Sequence, residues 1–361
     1  MTIVQSLKSA LGMDPTRDAD PDMHRVLEAL KSLHPKPIEG DMSAEEARRQ
    51  PLAADAVKKL LSESGASAEA VMPADVRTEE ISIPGLAGAN RARVYYPDNE
   101  QAENPLPVIL YFRGGGFAIA DLDAYDATPR SMAALTESVI ISLDYRLAPE
   151  NKFPAAYDDA FAAYQWLLEN ASSLNGDPSR IAVMGESAGG NLAINVSIWA
   201  RDQGLPPPLY QVLIYPLAST DVGSASYNEN SNAQPLNKPM MLWFVQQLLA
   251  DPRDKGSRLL RVIEADLHDL PSTTLITAGI DPLRSEGETL VERLQDAGVR
   301  VRYRNFGGAT HEFFGMAAVV AAAREAQALV AEDLREAFSQ APGGLAPSQG
   351  QLPTFEQPGA R

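Results

Sequence analysis

Gly185-Glu186-Ser187-Ala188-Gly189-Gly190 sits between an apolar run, Arg180-Ile181-Ala182-Val183-Met184, and a helix-like stretch from Asn191 to Arg201. The run is short, β-branched and apolar, the pattern of a buried strand. A Gly-x-Ser-x-Gly at a strand-to-helix junction holds its serine on a sharp, strained turn, with the hydroxyl raised above the sheet. Side chains at positions 185 or 189 would strike the neighbouring strand and helix. Alone, the pattern also describes an ordinary turn of small residues; the flanking strand and helix favour the elbow.

Working outward, alternating residues at 79–83 and 91–96 predict two half-buried strands. Solid apolar runs at 107–112, 139–143, 181–184, 210–215, 273–278 and 299–305 predict six more. Helix-length segments lie at 155–170, 189–203, 239–250, 285–297 and 317–338. Alternating strands suit an antiparallel edge, and continuous runs joined by helices suit a parallel sheet buried on both faces. The expected class is α/β, an eight-stranded, mostly parallel sheet flanked by helices. Residues 76–217 and 261–340 would form this domain.

Two segments fall outside that rhythm. Residues 1–75 read as polar helices, with Val26, Leu27, Leu30 and Leu33 at helical spacing. Residues 218–260 form an insertion after the sixth strand, with Met240-Met241-Leu242-Trp243-Phe244 on a helix. Together they could form a helical cap over the carboxyl ends of the strands; the Met-aromatic helix equally suits plain core packing. Residues 341–361 are rich in Pro, Gly and Gln and are expected to be disordered.

Composition excludes several functions. The chain contains no cysteine, so disulfides, thiolate metal sites and a Cys nucleophile are ruled out. Its formal net charge of -17 repels phosphate backbones, so no nucleic-acid partner is expected. No apolar run reaches membrane-spanning length, and residues 1–13 lack the marks of a signal peptide, which makes the cytoplasm the expected location.

A serine hydroxyl needs a base to become a nucleophile. Only His24, His34, His268 and His311 are available. The first two lie in the N-terminal helical region, and His268 sits beside Asp266 and Asp269 in a polar connection. His311 follows the last predicted strand in Phe306-Gly307-Gly308-Ala309-Thr310-His311-Glu312-Phe313, read as a glycine-rich loop that opens the final helix. Asp281, after the strand ending Leu275-Ile276-Thr277-Ala278-Gly279, could hold His311 in the right tautomer. Alone, Asp281 ahead of Pro282 would read as a helix N-cap. The order Ser187, Asp281, His311 is that of α/β-hydrolases. The oxyanion also needs donors. Gly114 and Gly115, in Arg113-Gly114-Gly115-Gly116-Phe117 after the third strand, are candidates, with the Ala188 N–H as the third.

These motifs make residues 75–338 resemble the hormone-sensitive-lipase-like carboxylesterases, the bacterial type IV esterases. Asp144-Tyr145-Arg146-Leu147-Ala148-Pro149-Glu150, Phe153-Pro154-Ala155-Ala156, Asp281-Pro282-Leu283-Arg284 and His311-Glu312-Phe313 complete the likeness. It implies an α/β-hydrolase fold with a helical cap, and hydrolysis of short- to medium-chain acyl esters through an acyl-enzyme. It implies a small ester substrate and no metal or organic cofactor. A homodimer paired through 299–305 and 317–338 is a further family expectation. Amidase, lactonase or acyltransferase chemistry, or ligand binding without catalysis, stay open on the same fold. Two positions depart from the pattern. Arg113 replaces the usual His before the glycines; it either ties the loop together or brings positive charge to the site and favours an acidic substrate. Ser285 stands where Asp is frequent, ahead of Glu286.

Overall fold

The structure is a computed structural model that describes residues 14–65, 76–98 and 105–340. The expected disordered tail and the first thirteen residues lie outside the described residues. Eight strands form one sheet: β1 Val76–Gly85, β2 Gly88–Pro97, β3 Leu106–Phe112, β4 Val139–Leu143, β5 Gly176–Glu186, β6 Tyr210–Ile214, β7 Thr273–Ile280 and β8 Val301–Thr310. Their order across the sheet is β1-β2-β4-β3-β5-β6-β7-β8. The β1–β2 and β2–β4 pairs are antiparallel, and the other neighbours are parallel. The alternating pair is thus the antiparallel edge, as its period required.

The helices are α1 Pro21–Ser32, α2 Ala44–Ala47, α3 Ala53–Glu63, α4 Ala127–Thr136, α5 Ala155–Asn170, α6 Ala188–Asp202, α7 Ala225–Glu229, α8 Lys238–Leu248, α9 Arg284–Asp296 and α10 Ala321–Gln340. Successive strand residues feed opposite faces of the sheet. Val108, Leu110 and Phe112 of β3 join Phe161 and Tyr164 of α5, Leu192 of α6 and Leu290 of α9 in one core. Ile109 and Tyr111 join Met132 of α4, Val330 and Leu334 of α10, and Met23 and Val26 of α1 in the other. A strand that is buried on both sides has no polar alternation to show, hence the solid apolar runs.

Three elements differ from the sequence expectation. Helix α4 escapes the periodicity argument, because its buried face is Thr128, Pro129, Met132, Ala133 and Thr136, a mixed set with no apolar stripe. The glycine-rich approach to His311 is strand, not loop: β8 continues through Gly307 and Gly308 to Thr310, which pairs with Ile280 across a register shift in β7. The closing helix starts at Ala321 and not 317, because Phe313–Met316 forms a separate 3₁₀ turn whose aromatic rings are buried.

The two segments outside the α/β rhythm meet over the carboxyl ends of the strands. Trp243 of α8 donates its indole N–H to the Met42 carbonyl at 2.8 Å, which joins the insertion to the N-terminal helices. Met241, Trp243 and Phe244 are buried while Leu242 is 48% exposed, so α8 packs one face inward.

Candidate active site

Ser187 is the turn between β5 and α6, with φ 56° and ψ -117°. Its N–H donates to Ile214 of β6 at 2.9 Å, and its carbonyl accepts from Leu217 at 3.1 Å. A Cβ on Gly185 would lie 2.0 Å from the Gly189 carbonyl oxygen, and one on Gly189 would lie 2.0 Å from that of Phe112 in β3. Both approaches are backbone to backbone, so the glycines are what lets α6 leave the sheet this tightly. Asn191, one turn into α6, braces the turn: its amide donates to Leu217 O at 3.0 Å and its oxygen accepts from the Tyr157 hydroxyl at 2.7 Å.

Asp281 and His311 follow β7 and β8 directly. The Ile280–Thr310 pair sets the two side by side, and His311 Nδ1 lies 2.6 Å from Asp281 Oδ2. A carboxylate can only accept, so Nδ1 carries the proton and Nε2 is left as the basic nitrogen. Asp281 is fixed in turn: Oδ1 accepts from the Leu283 N–H at 2.8 Å, and its carbonyl accepts from Asn230 at 3.1 Å. Burial pulls the imidazole's pKa down, but the charge and hydrogen bond of Asp281 outweigh it and hold His311 above its ordinary value. The Tyr215 ring backs the imidazole at 4.5 Å between centroids. Buried Glu186 accepts from the hydroxyls of both Tyr215 and Tyr111. Burial pushes the Glu186 carboxyl up, and the two tyrosine hydroxyls oppose that shift.

A cavity of about 670 Å³ holds Ser187, Ala188 and His311 together with Gly115, Gly116 and Phe117. Gly114 is not on its wall; a Cβ there would meet the Tyr125 hydroxyl at 2.4 Å. Gly115 and Gly116 have φ of 104° and 57°, the left-handed region that lets successive N–H groups turn toward one point. Of the two glycines named from the sequence, Gly115 lines the cavity and Gly114 does not; Gly116, not named there, lines it as well.

Arg113 is fully buried and off the cavity wall. Nη1 donates to the Gly114 and Ile119 carbonyls at 3.2 Å each, Nη2 reaches Asp144 at 3.4 Å, and the guanidinium lies 4.4 Å from the Tyr145 ring centroid. The Tyr145 hydroxyl donates to the Arg113 carbonyl at 3.0 Å. Arg48, from the N-terminal segment, pairs with Glu150 and donates to the carbonyls of Ala118 and Ala148. Of the two readings of Arg113, loop organiser is the one its contacts match. Asp144 and Tyr145 acquire a physical reason: they brace Arg113 and the start of the glycine loop, while Arg146 pairs with Asp159 of α5.

Both extra segments wall the cavity, with Leu27, Ile38 and Leu52 from one side and Leu236, Met240 and Phe244 from the other. His34 also reaches its wall. His24 contacts the Arg17 carbonyl at 3.3 Å, and His268 pairs with Asp266 at 2.8 Å on the surface. The insertion is anchored beneath by Ser226 and Ser285. The Ser226 hydroxyl accepts from the Ser285 N–H at 3.0 Å, and the Ser285 hydroxyl accepts from the Ser226 N–H at 3.1 Å. Among the described residues, no group of three or more His, Asp or Glu is placed to hold a metal ion, and no helix is long and apolar enough to cross a membrane.

A serine on a strained strand-to-helix turn, with a His–Asp pair at neighbouring strand ends of a mostly parallel sheet, defines an α/β-hydrolase. A family model described as the alpha/beta hydrolase fold matches residues 109–315. The carboxylesterase NlhH of Mycobacterium tuberculosis is 39% identical over 258 residues, 70% of this chain and 80% of that protein. An ethyl acetate hydrolase of Pseudomonas putida is 32% identical, over 68% of this chain and 77% of its own. Among solved structures, an esterase of Pyrobaculum calidifontis matches with a TM-score of 0.75 at 38% identity, covering 82% of this chain and 94% of that one. The chain belongs to the alpha/beta hydrolase family, in its hormone-sensitive-lipase-like, type IV group.

Proposed function

We propose that the protein is a serine carboxylesterase that hydrolyses short- to medium-chain acyl esters through an acyl-enzyme. The observation that carries this reading is that Ser187 and His311 line one cavity, with His311 held from behind by Asp281. It is supported by the relatives, which are named as carboxylesterases and ester hydrolases.

In the first half-reaction His311 Nε2 takes the Ser187 proton as Oγ attacks the ester carbonyl. Charge develops on the carbonyl oxygen, which the N–H groups of Gly115, Gly116 and Ala188 receive without reorganising. His311, now an imidazolium stabilised by Asp281, protonates the departing alkoxide. Water then repeats the sequence on the acyl-Ser187 ester and frees the acid. Residues 14–65 and 218–260 act as the cap that encloses the substrate. Two copies would pair through the outer edge of β8 and the adjacent α10; sedimentation of the purified protein measures that state.

The deciding experiment is turnover of p-nitrophenyl esters from acetate to palmitate by the wild type and Ser187→Ala. The expected result is hydrolysis favouring the shorter chains and a fall in kcat of about 10⁴-fold or more in the variant, with its melting curve unchanged. Near-normal turnover by Ser187→Ala would refute the assignment.

A further inference from the structure

Beside the reaction cavity lies a second and larger one, of about 940 Å³, that does not contain Ser187 or His311. Its wall includes Val57 and Leu61 of α3, Leu135 of α4, Met316 of the 3₁₀ turn and Ala328 of α10. The two cavities share three wall residues, Leu52, Ala53 and Glu312. The partition between them is therefore one layer of side chains, and its polar member is Glu312.

Glu312 is unusual in three respects. It directly follows the base His311 in the chain. Its backbone is left-handed, at φ 67°, a conformation that glycine would adopt more readily, yet the position carries a long acidic side chain. Among the described residues, its carboxylate is tied by a single long hydrogen bond, from the Tyr125 hydroxyl at 3.4 Å. A carboxylate between two largely apolar spaces repels a hydrocarbon chain that tries to pass, because the chain would strip its water.

We propose that Glu312 is a specificity-determining gate that keeps the alkyl group of the ester's alcohol out of the chamber behind it. The proposal rests on the esterase reading above. The side of the ester follows from the chemistry. The leaving oxygen must come to His311 Nε2 to be protonated, so the alcohol points toward His311 and the residue that follows it. With the carboxylate in place, the protein accepts small alcohols; with an apolar residue there, longer alkyl groups reach the chamber.

The test is a pH-stat assay of alkyl acetates from methyl to octyl, run beside p-nitrophenyl esters of increasing acyl length. It compares the wild type, Glu312→Leu, and Glu312→Leu combined with Val57→Trp. Each methylene buried in an apolar site is worth roughly fourfold in kcat/KM. The octyl-to-ethyl acetate ratio of kcat/KM is therefore expected to rise about tenfold or more in Glu312→Leu and to fall back when Val57→Trp fills the chamber. The acyl-length profile should stay within about twofold of wild type. An unchanged alkyl ratio, or a gain confined to the acyl series, overturns the proposal. Should Glu312→Leu fail to fold by circular dichroism, Glu312→Gln removes the charge at constant size, and a flat ratio there overturns it equally. Wild-type protein inactive on ethyl acetate and on every p-nitrophenyl ester removes the esterase reading itself. Ser187-dependent hydrolysis with a flat ratio removes only the gate.

Discussion

His311 Nδ1 and Asp281 Oδ2 stand 2.6 Å apart at the ends of two adjacent parallel strands, directly beyond the paired residues Ile280 and Thr310. Sheet register, and not loop chance, brings the imidazole and the carboxylate together. Because Asp281 holds the imidazole above its ordinary value of 6.5, His311 becomes the neutral base only above that pH. The acidic limb of kcat/KM for an activated ester is expected to have its midpoint above pH 6.5. Asp281→Asn removes the charge and lets the other tautomer form, so kcat should fall by about 10⁴-fold. The limb of the residual activity should move to lower pH. A limb that stays in place would mean another group sets it.

The elbow glycines make a sharp contrast with a glycine on β8. Gly189→Ala places a methyl 2.0 Å from the Phe112 carbonyl oxygen, where neither backbone can give way. A cost above roughly 4 kcal/mol is expected, a large part of the stability of a typical domain. Gly307→Ala meets nothing within 4 Å of the new Cβ and has no positive φ, so its cost should stay within roughly 1 kcal/mol. Urea denaturation of the two variants measures the difference.

Arg113 should behave as a fastener of the glycine loop. Arg113→Ala leaves the Gly114 and Ile119 carbonyls and Asp144 without this donor. A loss of roughly 3 kcal/mol is expected, since one partner of a mostly buried pair is removed. Arg113→Lys keeps the charge but not the planar fork that reaches three acceptors, so it should recover less than half of that loss. If both variants unfold at the wild-type denaturant midpoint, the fastening role fails.

What the sequence exposed and what it hid divide along physical lines. The buried strands announced themselves because burial on both faces favours apolar and β-branched residues, and Ser187 because its turn forbids side chains at 185 and 189. Asp281 and His311 were named through chain order, although neither stands out locally. Helix α4 was hidden because Thr128 and Pro129 occupy buried positions where a stripe of aliphatics would have signalled a helix. That Gly116 lines the cavity was hidden, because the backbone path decides which of three consecutive glycines reaches its wall. Glu312 read as part of a family motif; its place between two cavities depends on a left-handed backbone that the residue type argues against.

Glu286 yields a stability prediction whose sign is fixed. Its Oε1 accepts from the N–H groups of Ala218 and Ser219 at 2.7 and 3.2 Å, and those residues follow Leu217, which bonds Ser187. Its Oε2 is buried without a protein partner among the described residues. Burial raises the carboxyl well above its ordinary 4.5, and the two N–H groups only partly oppose this. A raised folded-state value means that the folded protein binds the proton more tightly than the unfolded chain. This group's stabilisation is therefore full below pH 4.5 and is lost as pH rises toward the folded value. Glu186 and Glu312 are raised as well and act in the same direction. Glu286→Gln keeps an oxygen for Ala218 and Ser219 but cannot ionise. Its melting temperature should fall less than that of the wild type between pH 5 and pH 8, by about one to a few degrees for a chain of this size. Parallel pH–melting curves for the two proteins would show that the Glu286 carboxyl is as ionised in the folded protein as in the unfolded chain, and would overturn the raised value.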